Sequence, residues 1–279
     1  MPLPLIVFAT YWNEIDWIRA SLAQIEALDP MEAFLCDGCF DSGHVNRSTD
    51  GTREIIGEFT AARPHWKRFD AIRLRRGEAP GALFRMTRPA GPEWTPYTLF
   101  SSLRNGVKKN LYRINQAITF GAMMKQSEYF RPGRWFMTVD ADQFYPDSMI
   151  ERFREILRNP GDTGLITAGE MTFFKDFSTF VRGYEKRRYN NMPHRIYENT
   201  QVFPTRLFKL AGFWKARLYE DAVPCVDVGE YHHYRFRKGA RQEMTYQLGD
   251  RKPPRSERFA NPVTFQGPLS SVVSRYYKG

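Results

Sequence analysis

Residues 135–142 read Trp135-Phe136-Met137-Thr138-Val139-Asp140-Ala141-Asp142. Five apolar-leaning residues followed at once by an acid predict a short buried strand, 135–139, that delivers two carboxylates to its carboxyl end. On an extended chain, residues two apart point to one side, so Asp140 and Asp142 are expected to face a common ligand. Two like charges held that close need a cation. Oxygen donors suit Mg²⁺ or Mn²⁺, and such ions keep positions open for phosphate oxygens, so a metal-bridged diphosphate is the natural ligand. Asp is also common where a strand ends and the next helix is capped, so the pair needs its context.

Upstream, the same strand, loop, helix order occurs twice. Leu5 to Ala9 is an apolar run ended by Thr10, Tyr11 and Asn13, after which Trp17, Ile18, Leu22, Ile25 and Leu28 recur at helical spacing. Ala33 to Cys36 is a second run, ended by Asp37 and Gly38, and Thr52 to Phe59 resumes a helical period through Ile55, Ile56 and Phe59. Ala71 to Leu74 is expected as a third strand, and Leu111 to Met124 as a helix turning Ile114, Ala117, Ile118 and Gly121 toward the core. Beyond Pro160, Gly164 to Ala168 and Thr200 to Leu210 read as strands, separated by a polar segment holding Asn190, Asn191 and Pro193. Alternating elements of this kind predict an α/β fold with a mostly parallel sheet flanked by helices. Residues 77–96, rich in Pro and Gly, read as a long surface loop. One large domain is expected over residues 1–250, with residues 251–279 as a basic C-terminal arm or lid.

The composition is that of an ordinary globular chain, with 42% hydrophobic and 26% charged residues in 279, which excludes a disordered, collagenous or disulfide-scaffold class. No run approaches the roughly 18 residues needed to cross a bilayer, and the apolar start is broken at Trp12, Asn13 and Glu14, so no transmembrane segment is expected. Cys36, Cys39 and Cys225 are an odd set, which favours free thiols and a cytoplasmic setting. Charge is uneven: residues 1–70 carry 6 basic and 11 acidic side chains, residues 71–210 carry 23 and 13, and the rest carry 12 and 7. Clusters at Arg73, Arg75 and Arg76, at Lys186, Arg187 and Arg188, and at Arg235, Arg237, Lys238 and Arg241 suit a polyanionic partner, although each alone also reads as solvated surface.

Ligands of open α/β sheets collect at the carboxyl ends of the strands. Three polar stretches are placed there, Thr10 to Glu14, Asp37 to Thr52, and Asp140 to Asp142. Together with Ser48-Thr49-Asp50-Gly51-Thr52 opening a helix and Arg113-x-Asn115 on a later one, they resemble the ordered landmarks of family-2-type glycosyltransferases with the GT-A fold, a Rossmann-like mixed sheet. The resemblance spans residues 5–235 and departs where Cys39 to Arg47 intervene before the Ser-Thr-Asp-Gly-Thr motif. It implies a nucleoside-diphosphate sugar donor, a UDP-sugar by family analogy. Thr10, Tyr11, Glu14 and Asp37 would then surround the nucleoside, with Arg113 and Asn115 as further donor-site residues. Asp140 would sit at ribose and metal, and Asp142 at Mn²⁺ or Mg²⁺.

By the same resemblance, the Glu220-Asp221 pair matches the Glu-Asp motif of inverting members, making Asp221 the general base and Glu220 its neighbour in the catalytic site. His232 or His233 would complete the metal coordination, and Arg235, Arg237 and Lys238 would neutralise the departing diphosphate. The basic remainder suits an anionic acceptor, including DNA carrying hydroxymethylated pyrimidines, with a cell-surface glycan or lipid-linked sugar as the alternative. Two other classes compete. A phosphatase of the Asp-x-Asp type expects Thr or Val two residues after its second acid, where this chain has Phe144. A non-catalytic nucleic-acid-binding protein would use the basic, aromatic surface but leaves the acidic strand ends without a role.

Overall fold

Strands β1 (Leu3–Tyr11) and β2 (Pro30–Asp37) are apolar on both faces of the pleat, as strands covered on both sides must be. In β1 the side chains of Leu3, Leu5, Val7, Ala9 and Tyr11 join one buried cluster, while Ile6 and Phe8 join a second on the opposite face. A computed structural model describes residues 1–41, 43–73, 115–116, 118–173, 176–182, 191–197, 224–234 and 263–277. Within them β1 pairs in parallel with β2 on one side and with β4 (Trp135–Val139) on the other, and β3 (Trp66–Asp70) adds in parallel to β2.

The parallel unit β3-β2-β1-β4 continues into an antiparallel half. There β8 (His194–Arg195) pairs with β4 and with β6 (Leu165–Phe173), β7 (Thr179–Arg182) lies against β6, and β10 (Val263–Thr264) closes the edge. Strand β9 (Cys225–Tyr234) runs parallel to β6, and its end pairs antiparallel with the short β5 (Gln143–Phe144). The protein is thus a mixed α/β fold whose ten-stranded sheet is parallel around β1.

Helix α1 (Ile18–Leu28) covers one face, and the predicted stripe of Trp17, Ile18, Leu22, Ile25 and Leu28 is buried in full. The helices α2 (Thr52–Ala61) and α4 (Asp147–Arg158) add Ile55, Ile56, Met149, Ile150 and Phe153 to the same cluster. The other face is covered by α3, helical over residues 118–126, through Phe120, Met123 and Met124. Burial of each such side chain contributes about 1.5–3 kcal/mol, so these stripes fix which helix faces the sheet.

Three expectations need correction. The third strand is Trp66–Asp70, and residues 71–73 lie outside it; this edge strand buries only Trp66 fully, and its polar Lys67 and Arg68 break the apolar run. In α3 the half-exposed Ile118 is not the inward residue; Thr119, Phe120, Gly121, Met123 and Met124 are. Strand β6 runs on to Phe173, past the expected end at Ala168. The strand expected at residues 200–210, the loop at 77–96, and Ile114 and Ala117 lie outside the described residues.

The described part of the C-terminal arm is docked. Helix α5 (Ser271–Tyr276) is capped by the Ser270 hydroxyl and adds Val272 and Val273 to the main core. The Phe265 ring packs edge-on against Phe173 at 5.3 Å, and Tyr277 lies 4.7 Å from Trp17 while its hydroxyl donates to the Asp16 carbonyl. Cys36 and Cys39 are buried free thiols, in line with the odd count, and Cys225 is exposed. Among the described residues no helix is long and apolar enough to cross a membrane.

Candidate functional site

Parallel pairing places the carboxyl ends of β1, β2 and β4 at one edge of the sheet, and the loop after β1 is the first element there. Asn13 adopts φ 51°, a left-handed conformation that Asn tolerates. The Ser-Thr-Asp-Gly-Thr motif then holds this loop from the start of α2. Ser48 Oγ accepts from Asn13 N at 2.9 Å, Thr52 Oγ1 from Glu14 N at 2.8 Å and Asp50 Oδ2 from Ile15 N at 2.9 Å. In return Thr49 N donates to Asn13 Oδ1 at 2.9 Å. Three consecutive amides that no regular element would satisfy are paired by three short side chains of one motif. Gly51, at φ 93°, supplies the turn into α2.

Asp37 ends β2 and is fully buried. Its Oδ1 accepts from Ser48 Oγ at 2.5 Å and Ser48 N at 3.2 Å, and its Oδ2 from Arg53 Nη1 at 3.0 Å. Arg53 also donates to Asp70 Oδ1 at 2.7 Å, and the Arg53 hydrogen bond holds the Asp70 carboxyl below the usual carboxylate range. Asp37 therefore locks the motif to the sheet. Beside it Gly38 has no room for a side chain, since a Cβ there would lie 2.4 Å from that of Ala71.

The Asp140 to Asp142 segment differs from the expected extended geometry: residues 141–142 form a turn between β4 and β5. The two carboxylates meet different partners. Asp140 Oδ2 accepts from Asn191 Nδ2 at 2.8 Å and Gln143 Nε2 at 3.1 Å. Asp142 Oδ2 lies 3.5 Å from His233 Nε2. The turn is braced from α1 by the buried Gln24, whose Nε2 donates to the Gln143 carbonyl at 2.9 Å and whose Oε1 accepts from Tyr145 N at 2.7 Å. Replacing Gln24 by Leu leaves both backbone groups unpaired in the core, so the unfolding free energy is expected to drop by about 2 kcal/mol, checked by urea denaturation. Asn191 is the second brace. It sits at φ 63°, its amide also reaches Gln143 Oε1 at 2.7 Å, and its carbonyl accepts from the Tyr145 hydroxyl at 2.7 Å.

The adjacent histidines of β9 point to opposite faces, as strand alternation requires. His232 is buried in the aromatic core, edge-on to Phe173 at 5.2 Å and Phe265 at 5.0 Å, with Nδ1 3.2 Å from the Tyr234 hydroxyl. Burial pushes its imidazolium down to about 4, so it is neutral. Of the two candidate metal ligands, the structure brings only His233 to Asp142. Burial alone would lower His233, but the charge and hydrogen bond of Asp142, followed by Glu170, outweigh it and push the imidazole up to about 9. Glu170 Oε1 lies 3.1 Å from His233 Nδ1, so the ring is held between two carboxylates on its opposite nitrogens.

The other predicted residues divide. Thr10 is half-buried at the end of β1 and Glu14 is buried in the loop after it. Tyr11 turns into the core, its hydroxyl 2.9 Å from Ser21 Oγ, and burial raises its pKa. Asn115 is also buried and donates to the Phe40 carbonyl, in the intervening segment, at 2.9 Å. Arg113, Glu220, Asp221, Arg235, Arg237 and Lys238 lie outside the described residues. Sequence reasoning missed Gln24, Asn191 and Glu170. The one available signal was a polar Gln24 among the apolar positions of α1.

Among the described residues, no group of three or more His, Cys, Asp or Glu side chains is placed to hold a metal ion. Asp142 and Glu170 meet opposite edges of the His233 ring and cannot share an ion through it. The donor chemistry at the Asp142 edge, a carboxylate facing an imidazole Nε2, still fits a hard divalent ion that takes its remaining ligands from water and a diphosphate. Compared with known protein families and with curated proteins, the chain matches neither a family nor an individual sequence.

Proposed function

We propose that the chain is a metal-dependent glycosyltransferase of the GT-A type, moving a sugar from a nucleoside-diphosphate donor, a UDP-sugar by the resemblance, to an acceptor hydroxyl. The observation that carries this reading is the meeting of Asp142, just past the carboxyl end of the central strand β4, with His233 from β9, β4 being the parallel neighbour of β1. Asp142 and His233 would hold Mn²⁺ or Mg²⁺, which when bound supplies charge neutralisation for a leaving diphosphate. The chain's own residues do the positioning. Asn191 and Gln143 fix Asp140, Gln24 fixes the backbone on either side of Phe144, and the motif 48–52 fixes the loop after β1. Asp221, with Glu220 beside it, is assigned the acceptor proton by the resemblance, giving inversion at the anomeric carbon.

The acceptor is read from charge: 35 basic against 20 acidic residues over positions 71–279 favour an anionic one. DNA carrying hydroxymethylated pyrimidines is the version proposed, in a cytoplasmic setting. A salt-sensitive gel shift with duplex DNA tests it, and no shift at low salt transfers the proposal to a surface glycan or a lipid-linked sugar.

The donor site is tested by thermal unfolding with uridine, guanosine, cytidine and thymidine diphosphates, each with and without Mn²⁺. A ligand present at 100 times its Kd adds about 2.7 kcal/mol of stability, so one base with Mn²⁺ should raise the midpoint clearly. Asp142→Asn is expected to remove the Mn²⁺-dependent part of that rise. If no diphosphate shifts the midpoint with Mn²⁺ present, the donor-site reading fails. A purely nucleic-acid-binding protein would instead keep its full activity in Asp140→Asn.

A further inference from the structure

Glu170 is a buried acid that the donor and base assignments leave without a role. It lies on β6, where the parallel register places it opposite Tyr231 and places Thr172 opposite His233. Its carboxylate is held from three directions. Oε1 accepts from Thr172 Oγ1 at 2.6 Å, Oε2 accepts from the Tyr231 hydroxyl at 2.8 Å, and Oε1 lies 3.1 Å from His233 Nδ1.

A carboxylate fixed by two hydroxyls cannot turn away from the ring, so it defines which imidazole nitrogen carries a proton toward β6. The other nitrogen then faces Asp142. The backbone holds the remaining geometry: Gln143 and His233 are register partners, and Tyr234 N donates to the Asp142 carbonyl at 2.8 Å. The distance between the acidic turn and β9 is therefore set without Glu170, and what Glu170 adds is the orientation and tautomer of the ring. An imidazole that binds a metal through one nitrogen commonly donates its other N–H to such a carboxylate, and loss of that partner costs about 10- to 100-fold in metal affinity.

We propose that Glu170 is a positioning residue that fixes the His233 imidazole with Nδ1 toward itself, so that Nε2 is the nitrogen offered, beside Asp142, to the divalent ion. The assignment rests on the metal-dependent reading above. If Glu170 merely fastened β6 to β9, its removal would cost stability and leave the metal affinity of the folded protein alone.

The test is Mn²⁺ binding to the full chain with uridine diphosphate present, followed by electron paramagnetic resonance of the free ion, which needs no turnover. Glu170→Gln is expected to weaken Mn²⁺ by about 10- to 100-fold. In the wild-type Mg²⁺ complex, ¹⁵N spectra should show His233 protonated at Nδ1 and unprotonated at Nε2. Should Glu170→Gln fail to fold, Tyr231→Phe removes a hydroxyl donor to Glu170 while leaving the carboxylate in place, and is expected to weaken Mn²⁺ in the same direction by less than about 10-fold. A folded Glu170→Gln that binds Mn²⁺ as wild type does, or a metal-loaded ring protonated at Nε2, overturns the assignment while the metal reading stands. A wild-type protein with no Mn²⁺ affinity overturns the metal reading itself, and this assignment falls with it.

Discussion

Asp37→Ala is expected to lower the unfolding free energy by about 3–5 kcal/mol, the cost of removing one partner from a buried ion pair. The carboxylate is fully buried and its oxygens accept from Ser48 N, Ser48 Oγ and Arg53 Nη1. Its loss strands the Ser48 amide and hydroxyl and leaves Arg53, whose side chain is 17% exposed, to Asp70 alone. Asp37→Asn keeps the shape and one acceptor, so it should fall between wild type and Asp37→Ala in urea denaturation. The resemblance gives the same residue a place at the nucleoside, and the two roles separate by measurement. A purely ligand-binding Asp37 would leave the urea midpoint within about 0.5 kcal/mol of wild type while uridine diphosphate binding collapsed. The hydrogen bonds predict that stability moves first, because Ser48 also supports the amide of Asn13 in the loop after β1.

The residues that made the fold legible are those whose environment repeats along the chain. Leu3 to Tyr11, Pro30 to Asp37 and Trp135 to Val139 are covered with no exposed residue, and Ile18 to Leu28 along one face, so burial imposed an unbroken run or a helical period. Trp66 to Asp70 is an edge strand with a half-exposed pattern, and no run announces it. The site follows the same division. Asp140 and Asp142 were legible because an abrupt charge after an apolar strand is a local signal, but the turn at residues 141–142 was not, since it is braced by Gln24 and Asn191 from distant parts of the chain.

His232 and His233 show how much more a pattern can give once an element is known to be a strand. Alternation alone states that only one of two adjacent residues can join Asp142. Tyr231 and His233 share the face that meets Glu170, while His232 and Tyr234 share the face that packs on Phe173. What the sequence could not supply is which face carries the acid, because Glu170 is a lone Glu in an apolar strand whose meaning comes from the β6 to β9 pairing.

In the presence of a chelator, stability is expected to peak near pH 6.5 and to fall on both sides, each flank carried by one of these histidines. His233 is pushed up to about 9 in the folded protein against about 6.5 unfolded, so between those values the folded state holds a proton that the unfolded state has lost. Its contribution is complete below pH 6.5 and disappears as the pH rises through 9, a loss of about 3 kcal/mol for this nearly buried group. His232 is pushed down to about 4, so from pH 6.5 to 4 the unfolded state takes up a proton that the folded state refuses, and a similar amount is lost on acidification. Urea denaturation across pH 4.5–9.5 gives the profile. His233→Gln should flatten the alkaline flank, since a neutral amide carries no proton to lose. His232→Phe should relieve the acid flank alone, because a ring of similar shape suits the cage of Phe173, Phe265 and Tyr234 without a titrating nitrogen. Carboxylates also titrate at the acid end, so that flank is read as the difference between His232→Phe and wild type. An alkaline flank that survives His233→Gln would mean that the imidazole between Asp142 and Glu170 is not charged, and the close pairing of β5 with β9 would then need another source of stability.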